Sequence, residues 1–150
     1  MRLFTDRATM HEVMGGHKKW RRTLQALENA PSLQSGVAYS IVDSLTYRKD
    51  RTAELATDEL VGRRRYHGVV AALDGDVDVA VAPKADLVEV GAYSDLTDRQ
   101  PFRGEAEVVT VPKNGVLVVD IDEAFRVLPM PDSEAVLLHV SVEGATFHNK

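Results

Sequence analysis

The sequence predicts a mainly β protein, a jelly-roll sandwich or barrel preceded by one N-terminal α-helix. Three observations carry this prediction. Apolar residues recur at helical spacing once, near the N-terminus. From about residue 36 onward they fall instead in short Val-rich runs with stretches of period two. Turn signals at Asp74-Gly75, Pro83, Asn114-Gly115 and Pro131-Asp132 separate those runs. Short strands joined by turns bury their apolar faces against one another, and a jelly roll does this at 150 residues while removing most sheet edges.

The helix is read from HKKWRRTLQALENAP, where Trp20, Leu24 and Leu27 form one apolar stripe and Lys18, Lys19, Arg21 and Arg22 fall mostly off it. Gly15 and Gly16 precede it and Pro31 follows its end. Roughly eight strands are expected within 36–48, 64–73, 76–83, 86–93, 105–112, 115–122, 125–129 and 134–144. The continuous runs VVAAL and VLVVD suggest central strands. The alternating DVDVAV suggests a strand with one wet face, paired with VVAAL as a hairpin across Asp74-Gly75. Segment 49–60, charged and unpatterned, reads as an ordered loop with one helical turn.

Composition bounds the function. The 150 residues, 44% hydrophobic and 27% charged, suit one domain over 1–150 with a core that needs no disulfide staples. Cysteine is absent, so neither disulfides nor a thiolate zinc site is available. No segment approaches the apolar length of a signal peptide or membrane span, and a soluble cytoplasmic protein is expected. A formal net charge of −5 argues against a general nucleic-acid binder, which needs a concentrated basic surface.

Few motifs carry chemistry. Asp74, Asp76 and Asp78 are spaced like a calcium loop, but the glycine is misplaced and Ala85 stands where the closing Glu belongs, so wet-face aspartates in a turn are expected. Asp120 and Asp122 are expected on one side of one strand, close enough for a carboxylate pair. None of the five histidines is spaced from another for joint metal ligation. The polar stretch GRRRYHG reads either as a solvated strand entrance or as an anion or partner contact.

The segments KKWRR, ALENAPSLQSGVAYSIVDSLTYR, GRRRY, VAPK, TDR, VVDIDEAFR and SVEGATFHNK together resemble the YhcH/YjgK/YiaL (DUF386) family of cupin-like jelly rolls. Within it they are most similar to the branch of β-galactosidase small (β) subunits, from about Lys18 to Lys150. The resemblance implies an accessory subunit that supports a large catalytic β-galactosidase chain. The alternative it leaves is a stand-alone sugar anomerase or isomerase, or a sugar-binding homo-oligomer, acting on a small sugar such as galactose.

Relatives of this kind use a metal-containing cavity. The ligand positions fall here on Arg63, Gly68, Val70 and Asp122, with Val61 where some members carry an acid. Arginine has no lone pair to give, and glycine and valine have no side-chain donor, so no metal or other cofactor is expected. His139 replaces the family's usual Lys. Asp122, His139 and Arg63 are therefore the candidate catalytic residues, with Asp120 and Asp122 expected to face the cavity and pair with Arg63 or Arg126. Phe147, His148 and Asn149 in the tail, with Trp20 and the Lys18–Arg22 face, are the candidate partner contacts.

Overall fold

The computed structural model describes residues 1–41 and 45–142. Two short elements precede the expected helix: β1 (Arg2–Phe4) and α1 (Arg7–Met14). Asp6 caps α1, its carboxylate accepting from Thr9 N at 2.7 Å and so satisfying one of the free amide donors of the first turn. The expected helix is α2 (Lys18–Glu28). It buries Trp20, Leu24 and Leu27 as the stripe requires, and a 3-10 turn at Ala30–Ser32 containing Pro31 follows it.

The remaining elements are β2 (Ala38–Ile41), β3 (Leu45–Arg51), the single turn α3 (Thr52–Leu55), β4 (Leu60–Gly62), β5 (Tyr66–Ala72) and β6 (Val77–Pro83). They are followed by β7 (Val88–Glu89), β8 (Gln100–Arg103), β9 (Glu107–Val111), β10 (Val116–Val119), β11 (Glu123–Val127) and β12 (Glu134–Ser141). They form two six-stranded antiparallel sheets, ordered β1-β10-β5-β12-β3-β2 and β7-β8-β4-β11-β6-β9. From β3 to β6 and again from β9 to β12 the chain alternates between the sheets. That alternation is the path of a cupin-like jelly roll, as the sequence predicts.

The register gives each sheet two faces. On β5, Val69 and Ala71 turn outward with Val136, Leu138 and Val140 of β12 to meet Trp20, Leu24 and Leu27 of α2 and Met10 of α1. Val70 and Ala72 turn inward with Leu117 of β10 and meet Val77, Val79 and Val127 of the opposite sheet. VVAAL is thus buried on both faces, at a gain of about 1.5–3 kcal/mol for each fully buried Val or Leu. A third cluster, Leu60, Ala80, Phe102 and Ala124, covers the outer side of the second sheet. It also closes the face of β6 that the alternating pattern leaves wet, so that only Asp78 and Pro83 of that strand stay out of the core.

Three expectations are corrected. β5 and β6 do not form a hairpin: they lie in different sheets, and the Asp74–Asp76 turn carries the chain across the sandwich. Its aspartates hold that corner, with Asp74 Oδ1 accepting from Glu134 N and Asp76 Oδ1 from Lys113 N, both at 3.0 Å. β3 runs on to Arg51, so residues 49–51 are strand, because seven consecutive pairs with β12 outweigh their charged composition. Asp120 and Asp122 do not share a strand: β10 ends at Val119, and both lie in the turn before β11. No helix among the described residues is long and apolar enough to cross a membrane.

Candidate functional site

Antiparallel pairing aligns side chains across the first sheet in rows. Thr46 of β3, His139 of β12, Gly68 of β5 and Val119 of β10 form one row, and Arg48, Leu137, Val70 and Leu117 form the next. Both rows face the second sheet. Where they reach the end of the sandwich, the interior opens into a cavity of about 380 Å³, lined among others by Arg48, Arg63, Arg99, His139, Phe125 and Glu54.

Each cation reaches this cavity by a different route. Arg63 follows β4, and its Nη1 donates to the carbonyls of Thr97 and Asp98 at 3.4 and 3.3 Å. Its own carbonyl accepts from Lys84 Nζ at 2.6 Å. Arg99 closes the loop before β8 through paired backbone bonds with Ser94. The residue between these arms is Asp98, buried and left-handed at φ 53°, whose carboxylate accepts from Arg64 N, Arg65 N and the Tyr93 hydroxyl. Arg64 lies 4.0 Å over the Tyr93 ring, so loop 93–99 and residues 63–65 are one tied unit. Arg48 projects from β3, with Nη2 donating to Glu54 O at 3.2 Å and Nε 3.7 Å from Asp50 Oδ2.

Donors outnumber acceptors here. Arg48 Nε, Arg63 Nε and His139 Nε2 are shielded from solvent without a hydrogen-bond partner. Burial, then the charges of Arg63 and Arg99, push the His139 imidazole down to about 3, so it is neutral at physiological pH. Burial and then the neighbouring Arg99 charge push Arg63 down to about 10, which still leaves it a cation. The one carboxylate among the described lining residues, Glu54, is exposed and sits 3.5 Å from Arg51.

Arg63 and His139 therefore meet, but Asp122 does not join them. Its side chain is exposed in the β10–β11 turn, where its carbonyl accepts from Lys84 N at 2.9 Å. Asp120 does not pair with Arg63 or Arg126 either; it lies 3.3 Å from the Met1 amine, which Glu123 also approaches at 2.8 Å. Arg126 donates to Thr57 O at 3.3 Å. The displacement has a physical cause: β10 turns Leu117 and Val119 inward and Val116 and Val118 outward, so Asp120 and Asp122 have the outward parity, and the strand ends at Val119 before either.

Of the positions that the resemblance aligns with a metal site, Asp122 lies outside the cavity, and the others offer no lone pair to a metal. Val70 is wholly buried in apolar packing, and Val61 presents only methyl groups to the cavity. A Cβ at Gly68 would fall 2.2 Å from Phe125 Cε1, so the Phe125 ring occupies the space an acidic side chain there would need. These residues do not fit a cation. Among the described residues the one convergence of three ligand-type side chains is Asp120, Asp122 and Glu123, at the surface and beside the Met1 amine.

Trp20 is 5% exposed beneath α2, its ring 5.6 Å from His67, so it belongs to the core of this chain and presents no indole to a partner. Lys19 Nζ donates to Ser141 O and Val142 O at 3.1 and 2.7 Å, tying the basic helix to the end of β12. Phe147, His148 and Asn149 lie outside the described residues. Arg48, Arg99 and Phe125 complete the cavity without having been legible as site residues.

No protein-family model matches the chain. Among solved structures it is similar to a hydroquinone 1,2-dioxygenase from Sphingomonas sp. TTNP3 with 4-hydroxybenzoate bound, at 17% identity and a TM-score of 0.45, over 79% of this chain and 72% of that one.

Proposed function

We propose that the chain is a metal-independent accessory subunit of carbohydrate metabolism, of the YhcH/YjgK/YiaL (DUF386) type, that supports a large β-galactosidase chain. The observation that carries this reading is the composition of the cavity. Hydrolysis of a β-galactoside with retention needs two carboxylates about 5–5.5 Å apart at the scissile bond. Here one exposed Glu54 stands among guanidiniums and a neutral histidine. The glycosidic chemistry is thus assigned to another polypeptide, and this chain keeps a cavity for a small molecule. The anomerase alternative, built on Asp122, His139 and Arg63, loses its carboxylate because Asp122 lies outside the cavity.

The test is hydrolysis of a chromogenic β-galactoside. The purified chain alone is expected to give none, and to raise the rate of the large glycosidase chain that co-purifies with it from its native source. Hydrolysis by the isolated chain, or no change in rate on adding it back to the separated large chain, overturns the proposal.

A further inference from the structure

The cavity also carries information about what it holds. The chain as a whole is acidic, with a net charge of −5, yet four arginines, Arg48, Arg63, Arg99 and Arg126, line the cavity with one imidazole, and Arg126 donates to Thr57 O at 3.3 Å. Such a gathering costs free energy through mutual repulsion and desolvation unless something opposes it. The acidic groups nearby do so only in part. Asp98 directs its carboxylate to two backbone amides and the Tyr93 hydroxyl, Asp50 stands 3.7 Å from Arg48 Nε, and Glu54 is drawn toward Arg51. Three shielded side-chain nitrogens make no hydrogen bond, on Arg48, Arg63 and His139. A volume of about 380 Å³ falls at the lower end of small-molecule sites, on the order of 300–1,000 Å³.

We propose that this cavity binds a small organic oxyanion, a molecule of sugar size carrying a carboxylate or phosphate group. The oxyanion lies between Arg63 and Arg99, whose planar forks suit two-point hydrogen bonding to such groups. Phe125 and Val61 supply an apolar wall for the ligand body, and neutral His139 exchanges a hydrogen bond with a ligand hydroxyl through Nε2. The inference rests on the metal-independent cavity of the proposed function but not on the partner chain.

Calorimetric titration of the purified chain at low ionic strength tests this with four probes: inorganic phosphate, galactose 6-phosphate, galacturonate and neutral galactose. One or both sugar anions should bind, and bind at least about tenfold more tightly than galactose, since a charge-assisted hydrogen bond is worth at least that factor. Tighter binding of the phosphate ester assigns the site to phosphorylated ligands; tighter binding of the uronate assigns it to sugar acids. Arg99→Gln, at an exposed position, should weaken anion binding about tenfold, whereas Arg103→Gln, whose guanidinium pairs with Glu59 at the surface, should leave it unchanged. Arg63→Lys keeps the charge and loses the fork, so it should weaken binding while preserving the fold. NMR of His139 should show its imidazole titrating above about 3 once the anion is bound.

Equal affinity for galactose and its charged derivatives overturns the oxyanion assignment while leaving a sugar-binding cavity. Absence of binding by all four probes, or Arg99→Gln binding the anions as the parent does, overturns the site itself. None of these outcomes depends on the β-galactosidase partner, which the hydrolysis assay tests separately.

Discussion

The space between the two sheets has two ends made by the same strands. On β5, Val70 and Ala72 face one end and Gly68 the other; on β12, Ala135 and Leu137 precede His139; on β10, Leu117 precedes Val119. At the first end these side chains interlock with Val77, Val79 and Val111 into a dry core, whose edge residues Leu137 and Val127 also border the cavity. At the second the facing positions are a glycine, a histidine and the arginines of separate loops, and the interior opens. A shift of two residues along a strand thus separates packing from binding. The closed end fixes the strand register, and that register is what delivers His139 and Arg48 to the open end.

The largest expected effect breaks the closed end. Leu117 is fully buried between the sheets, and Leu117→Ala removes three carbon atoms from a site whose neighbours are stiff β-branched residues. A loss of about 2–5 kcal/mol in unfolding free energy is expected, measured by urea denaturation. A loss below about 1 kcal/mol would mean that the two ends are equally loose, and the contrast between them would fail.

The next effect belongs to the open end and depends on pH. The folded-state pKa of His139, about 3, is below the ordinary value of 6.5. Between those values the unfolded chain binds a proton that the folded chain refuses. The contribution is therefore fully present above about pH 6.5 and is lost as pH falls toward 3, at up to about 1.4 kcal/mol per unit. His139→Gln, which keeps a polar side chain without the titration, should be less acid-sensitive than the parent between pH 6 and about 4. Parallel stability curves for the two proteins over that range would show that His139 is not held neutral by its surroundings.

Much of the fold could be read from the chain, because β5, β10 and β12 are long apolar runs and α2 has a clean stripe. The elements not anticipated are β1, β4 and β8, of three or four residues, too short to show any period, and α1, whose apolar pattern is weak. The site was legible in part for a related reason. Arg63 and His139 could be named from a resemblance, but the rest of the cavity is a product of long-range register. Arg48 stands in a charged stretch, RKDR, where nothing local marks one arginine as inward, and only its alignment with Leu137 of β12 does so. Arg99 owes its position to the loop that Asp98 ties to Arg64 and Arg65. Asp122 lies elsewhere for a local reason: β10 stops at Val119, and Asp120 and Asp122 share the parity of its outward residues Val116 and Val118.

The smallest expected effect makes the comparison sharpest. At the closed end every residue contributes by contact, so truncation destabilises. Arg99 is exposed, and among the described residues its guanidinium makes no hydrogen bond or ion pair. Its charge instead opposes that of Arg63, second to burial, and disfavours protonation of His139, after burial and the Arg63 charge. Arg99→Gln should therefore change the unfolding free energy by no more than about 0.5 kcal/mol, with any change in the stabilising direction at low salt and fading as salt screens the repulsion. Urea denaturation at two ionic strengths measures it. If the variant loses more than about 1 kcal/mol, Arg99 is a structural strut like the valines at the other end, and the open end would owe its arginines to folding instead of to a ligand.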